Sequence, residues 1–87
     1  MKAKKDFILR KVAGSYIIVA TGRAAIDFTK VINLNETGAF LWSMLEKGVT
    51  KDEMVKNLLQ EYNVSEEKAT EDINVFIEKV KQEDMLE

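Results

Sequence analysis

The stretch Leu34 to Trp42, LNETGAFLW, marks the point where strand-like sequence gives way to helical periodicity. Asn35 is a favourable N-cap residue, and Glu36 follows in the first turn, where a carboxylate favours the positive end of the helix dipole. Beyond it, mostly apolar residues recur at helical spacing and define one buried stripe. That stripe is made of Thr37, Phe40, Leu41, Met44 and Leu45. The stretch therefore predicts a strand that ends at Leu34 and a helix that begins directly after Asn35.

Three strands are predicted upstream of this junction. Phe7–Val12 has strand length, and the turn-forming residues Ala13-Gly14-Ser15 follow it. Tyr16–Ala20 is rich in β-branched and aromatic residues, so the two segments together predict a hairpin. The third strand is predicted at Val31–Leu34, with a start near Phe28 as the alternative.

Two further helices are predicted downstream, each with its own start signal. Gly48 suits the C′ position that ends the first helix. Thr50 opens the second helix, and Glu53 three residues later completes a capping box. Ser65 caps the third helix. The predicted buried positions are Met54, Val55, Leu58, Leu59 and Tyr62 in the second helix, and Ala69, Ile73, Phe76, Ile77 and Val80 in the third.

The order of these elements predicts an α+β fold in one domain that spans residues 1–87: a three-stranded antiparallel sheet followed by three helices. A three-stranded sheet cannot hide its apolar face alone, so the helices must cover it. The second and third helices, joined by a short link, resemble a helix-turn-helix pair. The predicted layout is therefore winged-helix-like.

Two absent residue types exclude several kinds of chemistry. The chain has no Cys, which removes disulfides, thiolate metal sites and thiol nucleophiles. It has no His, which removes the commonest general base and the commonest metal ligand. The carboxylates occur mainly as adjacent pairs, and neighbours on a helix do not point at a common ion. We therefore predict a protein that is not an enzyme and binds no metal or other cofactor.

Charge is distributed unevenly along the chain, whose net charge is −2. Residues 1–30 hold seven basic and two acidic side chains, a net +5, whereas residues 31–87 hold six basic and thirteen acidic ones, a net −7. This asymmetry either serves solubility or attracts an acidic partner to the first third. No apolar stretch approaches the ~18 residues that span a bilayer, and no apolar segment of a secretory signal follows the basic start. A cytoplasmic location is therefore predicted.

A winged-helix layout raises DNA binding as an alternative function. The third helix would then enter the major groove. Between Glu66 and Asp84 this segment carries seven acidic and three basic side chains, a net −4. Phosphate contacts dominate affinity for DNA, so a helix of that charge would be repelled. A winged-helix regulator stays the alternative, and its DNA binding is predicted to be weak.

Two side chains and one strand edge are candidate functional features. Trp42, on the flank of its helical stripe, is predicted to be a core residue rather than a ligand platform. Val75 falls on the side of the third helix where a bundle would carry a polar residue, and both a structural and a functional interpretation stay open. If the third strand lies at a sheet edge, a peptide could pair with it by strand addition.

The LNETGAFLW block closely resembles the signature of the PqqD-like family, named for the pyrroloquinoline quinone biosynthesis protein D. The wider layout is similar too, from about Phe7 to Leu86. It includes an FxLR-type first strand, YIIV in the second, Asp27-Phe28 before the third, and GVTKDEMVKNLLQEYNVSEE across the second helix.

This resemblance implies a free-standing recognition element for ribosomally synthesised and post-translationally modified peptides (RiPPs). In that family the leader peptide of a precursor adds as a strand beside the third strand and packs against the third helix. The domain then presents the precursor to a modifying enzyme, often a radical S-adenosylmethionine protein. A scaffold module that docks proteins but no leader is a further alternative. The implied peptide-binding residues are Val31, Ile32, Asn33 and Leu34 on the strand, and Ile73, Ile77 and Val80 on the helix.

Overall fold

Three strands and four helical segments follow one another in the computed structural model, which describes residues 1–27 and 31–87. The elements are β1 (Phe7–Val12), β2 (Ser15–Ala20), α1 (Ala24–Asp27), β3 (Ile32–Leu34), α2 (Glu36–Lys47), α3 (Lys51–Glu61) and α4 (Glu66–Gln82). The predicted fold class is confirmed: a three-stranded antiparallel sheet precedes three long helices. No helix in the part of the chain that the structure describes is long and apolar enough to cross a membrane.

The sheet is a meander in which β2 lies between β1 and β3. The β1–β2 hairpin turns through Ala13 and Gly14, whose φ angles of 51° and 83° are both positive, as a type I′ turn requires. On its other side β2 pairs with β3, with Ile18 opposite Ile32 and Tyr16 opposite Leu34. β3 is therefore an edge strand, as strand addition needs.

The predicted caps of all three long helices are present. The side chain of Asn35 accepts a 2.7 Å hydrogen bond from the Gly38 N–H at the start of α2. Thr50 and Glu53 form the reciprocal capping box of α3, and the Ser65 hydroxyl accepts from the Lys68 N–H at the start of α4. Capping bonds join residues three apart, so a local sequence pattern is enough to predict them.

The segment between β2 and β3 differs from the prediction. Ala24–Asp27 forms the short α1, which the sequence did not predict because four residues are too few to show a helical period. β3 begins at Ile32 rather than Val31. The alternative strand start near Phe28 lies outside the described residues.

The core lies between the sheet and the three long helices. Ile18 and Ile32 contribute from the sheet, and Leu58 and Ile73 from the helices. Trp42 is fully buried among them, as predicted. Near the ends of the chain, Ala3 pairs with Leu86 as an isolated bridge and donates its N–H to the Leu45 carbonyl at 2.9 Å. These bonds hold the described ends of the chain against the far end of α2.

Candidate functional site

A groove of about 410 Å³ runs between the edge strand β3 and the helix α4. The start of α2 forms its floor. Its lining consists of Asn33, Leu34, Asn35, Thr37, Gly38, Leu41, Lys68, Asp72, Val75, Phe76 and Lys79. The groove therefore joins an open strand edge to an accessible helix surface.

The hairpin turn fixes which backbone groups of β3 face the open edge. A two-residue turn is closed by a hydrogen-bonded pair, here Val12 and Ser15, and hydrogen-bonded and non-bonded pairs then alternate along the ladder. Tyr16 and Ile18 consequently direct their N–H and C=O groups away from β1, toward Leu34 and Ile32.

The same alternation continues across β3. Ile32 and Leu34 turn their backbone groups toward β2, so Asn33 between them turns its N–H and C=O toward the open edge. Asn33 also lines the groove. A donor and an acceptor for a further strand are thus presented at the position where the groove begins.

The LNETG block shapes the floor of this groove. Gly38 is buried, and a Cβ atom there would lie 3.2 Å from Asn35 Oδ1 and 3.3 Å from the Leu34 Cβ. Such contacts are tighter than ordinary van der Waals packing, so glycine permits the close approach between the end of β3 and the first turn of α2. The block thus caps α2 and positions Leu34 at the groove.

The α4 wall of the groove is one helical stripe. Lys68, Asp72, Val75, Phe76 and Lys79 follow the i, i+4, i+7, i+8, i+11 spacing that places side chains on one face of a helix. Val75 is 66% exposed and Phe76 only 7%. The outward valine that the sequence left unexplained is therefore an apolar part of the groove wall.

The helix residues that were predicted to bind peptide lie in the hydrophobic core and not in the groove lining. Ile73, Ile77 and Val80 are 0%, 8% and 1% exposed and belong to the hydrophobic core. Helical periodicity identifies a buried face but does not separate residues buried in the core from residues that line a groove beside it. The structure places these three residues in the core, and the α4 residues that line the groove belong to the stripe that contains Val75 and Phe76.

The four predicted strand residues have different environments. Asn33 and Leu34 line the groove. Ile32 is buried in the core, and Val31 is 51% exposed just outside β3. Thr37, Gly38 and Leu41 line the groove but were missed as site residues, although the LNETG block that contains the first two was the strongest motif in the sequence.

Charge within the groove is carried by three side chains of α4. Lys68 Nζ lies 3.0 Å from Asp72 Oδ1, and this hydrogen bond, reinforced by the charge of Asp72, raises the pKa of Lys68 above its ordinary value. Lys79 makes no ion pair with any residue of the described ranges 1–27 and 31–87.

The side of α4 that faces away from the groove is acidic and exposes Glu66, Glu67, Glu71 and Glu78. An acidic face of that kind opposes contact with nucleic-acid phosphates.

Comparison with known proteins places the chain in a family. The family model described as coenzyme PQQ synthesis protein D (PqqD) matches residues 15–86. The chain belongs to the PqqD family. No curated protein matches it in a sequence search.

Two solved structures share the PqqD-family fold of this chain. One is TbiB1 in complex with the TbiA(beta) leader peptide, with 21% identity, a TM-score of 0.77, and coverage of 100% of this chain and 95% of that one. The other is a lasso peptide synthetase B1 complexed with the leader peptide, with 20% identity, a TM-score of 0.74, and coverage of 97% and 93%. At sequence identities of 20% and 21%, these two similarities show a shared fold and no more.

Proposed function

We propose that this PqqD-family chain is a RiPP recognition element, which binds the leader peptide of a ribosomally synthesised precursor as a strand beside β3. Family membership supports this function, and both structurally similar proteins hold leader peptides. The observation that carries the proposal is the combination of the outward backbone groups of Asn33 with the adjacent groove on α4. Strand addition uses main-chain hydrogen bonds for affinity and neighbouring pockets for specificity.

In the proposed complex, the pairing with β3 decides which peptide side chains face the helices. A peptide residue that pairs with Asn33 lies on the solvent side of the sheet, as Asn33 does, and its two neighbours point toward the helices. Those neighbours would contact Leu34 on the strand side and Val75 or Phe76 on the helix side. Asn33, Leu34, Val75 and Phe76 are therefore the proposed peptide-binding residues, and Ile32, Ile73, Ile77 and Val80 support them from the core.

The proposed role is presentation rather than catalysis. The sequence contains no His and no Cys, so the chain lacks the commonest general base and all thiol chemistry. A separate modifying enzyme would perform the reaction, and a radical S-adenosylmethionine enzyme is the class that we propose. The chain itself then needs no cofactor, and it acts in the cytoplasm, where precursors are synthesised.

Amide chemical-shift mapping tests the site directly. The titrants are synthetic leader segments of candidate precursors, taken from any short open reading frames that lie beside the gene for this chain. The proposal expects shifts concentrated at Asn33, Leu34 and the Val75–Lys79 segment, and loss of binding in Asn33→Pro. Shifts confined to α3 and the outer side of α2, with the β3 edge unaffected, would refute strand addition.

The role in presentation is tested by reconstitution. The rate at which a candidate radical S-adenosylmethionine enzyme modifies a precursor that this chain binds is compared with and without this chain, and with Asn33→Pro in its place. We expect the wild-type chain to accelerate modification and the variant to have no effect. Equal rates in all three reactions would contradict presentation.

A further inference from the structure

The two sides of α4 carry opposite charge. The stripe that faces the groove holds Lys68, Asp72 and Lys79 and is net positive. The remaining charged residues of the helix are four glutamates and Lys81. The β3 and α2 residues of the lining are all uncharged. The groove side of α4 therefore has a net charge of +1, whereas the remaining charged residues of the helix sum to −3.

Within this stripe, the charges of Lys68 and Asp72 compensate each other through their 3.0 Å ion pair. Lys79 is exposed, and it makes no ion pair within the ranges 1–27 and 31–87. The uncompensated charge of the described groove is thus the ammonium group of Lys79. An occupant with a carboxylate near that group would gain a charge-assisted hydrogen bond.

The spacing along the helix specifies where such a carboxylate would lie in an extended peptide. Val75 and Lys79 are one turn apart on the same face, about 6 Å along the helix axis. Alternate side chains on one face of a strand are about 6.8 Å apart. A peptide that follows the groove can therefore place an apolar side chain on Val75 and a carboxylate at Lys79 from residues two positions apart.

We infer that the groove selects a leader segment with an acidic residue two positions from an apolar one, and that Lys79 is the residue that sets this preference. The inference rests on the proposed function, because it assumes that the groove binds an extended peptide. It concerns the chemistry of the ligand, which neither the fold nor the family match specifies.

A displayed library of random twelve-residue peptides tests the inference without knowledge of the natural leader. Selections are run in parallel on the wild-type chain, on Lys79→Glu and on Lys81→Glu. Lys81 is the matched control, since it is also an exposed lysine in the last turn of α4 and does not line the groove. Both variants change the net charge by the same amount and replace a cation in the last turn of α4 with a carboxylate. Selected peptides are retested by fluorescence anisotropy on all three proteins and on Asn33→Pro.

Wild-type and Lys81→Glu selections are expected to enrich Asp or Glu two positions from an apolar residue, whereas Lys79→Glu selections are expected to favour Lys or Arg there. An acidic peptide should bind Lys79→Glu about ten-fold more weakly, because an attraction of the size of a surface ion pair becomes a comparable repulsion. Peptides that need Asn33 but show no acidic preference, or that weaken equally in both lysine variants, would overturn the inference and leave the groove as the binding site. A selection without any binder that depends on Asn33 would overturn the groove itself.

Discussion

The two edge strands of the sheet, β1 and β3, differ in what surrounds their open sides. β1 is six residues long and carries the exposed cations Arg10 and Lys11, the second of which lies 5.4 Å from the centre of the Tyr16 ring. β3 is three residues long and contains no charge. Charged side chains on an edge strand discourage the addition of another strand. The sheet formed by the described residues thus has one edge strand with such charges and one without them.

The groove distinguishes the two edges more strongly than the charges do. Both edges present backbone donors, but the groove lining contains β3 residues and no β1 residue. Hydrogen bonds to water are exchanged for hydrogen bonds to the peptide, so main-chain pairing alone yields little net free energy. Burial of apolar side chains against α4 adds to it. An edge becomes a binding site where a second element provides that burial.

The largest expected effects come from proline substitutions within β3. Ile32→Pro removes an N–H that pairs with β2 and also a buried side chain, so the domain should unfold. Asn33→Pro removes an N–H that faces the open edge, so the domain should stay folded and lose peptide binding. Circular dichroism melting and titration with a peptide that binds the groove measure the two outcomes.

Lys11→Pro is the matched control for these variants on the other edge. The ladder alternation directs the Lys11 N–H away from β2, as it does for Asn33. This variant should fold and bind peptide normally. Loss of binding in Lys11→Pro would contradict the difference between the two edges. An unfolded Asn33→Pro would contradict the deduction that the Asn33 N–H faces the open edge.

Substitutions on the two faces of α4 are expected to have the next largest effects. Ile77→Asp places a carboxylate in the core and should destabilise the domain by about 3 kcal/mol or more. Val75→Asp, at an exposed position, should change stability by less than about 0.5 kcal/mol but weaken peptide binding. Urea unfolding and peptide titration are measured for both. A stable Ile77→Asp that fails to bind would support the helix face predicted from the sequence over the stripe that contains Val75.

Local patterns in the sequence predicted the caps Asn35, Thr50 and Ser65 and the bounds of β1. The family signature also predicted that β3 forms part of the site. The sequence predicted a helix face around Ile77, whereas the structure places Val75 in the groove lining; both residues are apolar, and only packing shows which of them reaches solvent. Which backbone groups of β3 face the open edge depends on the pairing of β3 with β2. No single segment of the sequence contains that pairing. Val75 was nevertheless visible as a valine on a polar face.

Smaller effects are expected from the caps that begin α2 and α4. Asn35→Ala and Ser65→Ala each remove a side-chain acceptor for a helix N–H and should cost about 1 kcal/mol of unfolding free energy. Asn35 also lines the groove, whereas Ser65 does not. Asn35→Ala should therefore weaken peptide binding as well, and Ser65→Ala should not. Equal binding by both variants would show that the first turn of α2 does not position the groove.

The smallest expected effect lies at the tip of the β1–β2 hairpin, where a substitution should change the stability of the domain but not its affinity for peptide. Ala13 holds a φ of 51°, which is unfavourable for alanine, and Gly14 follows with a φ of 83°. Asparagine tolerates this conformation, and Asn-Gly is the preferred pair for a type I′ turn. Ala13→Asn should therefore stabilise the domain by about 0.5–1 kcal/mol relative to the wild type. Because the same turn sets the alternation along β2 and β3, the variant should bind peptide with unchanged affinity.

Urea unfolding measures the stability of the Ala13→Asn variant, and fluorescence anisotropy measures its affinity for peptide. Ala13→Val is the control, and it should destabilise the domain because a β-branched residue is strained at positive φ. If Ala13→Asn were stabilised but bound peptide with a different affinity, the turn would influence the groove in some way other than by setting the strand register.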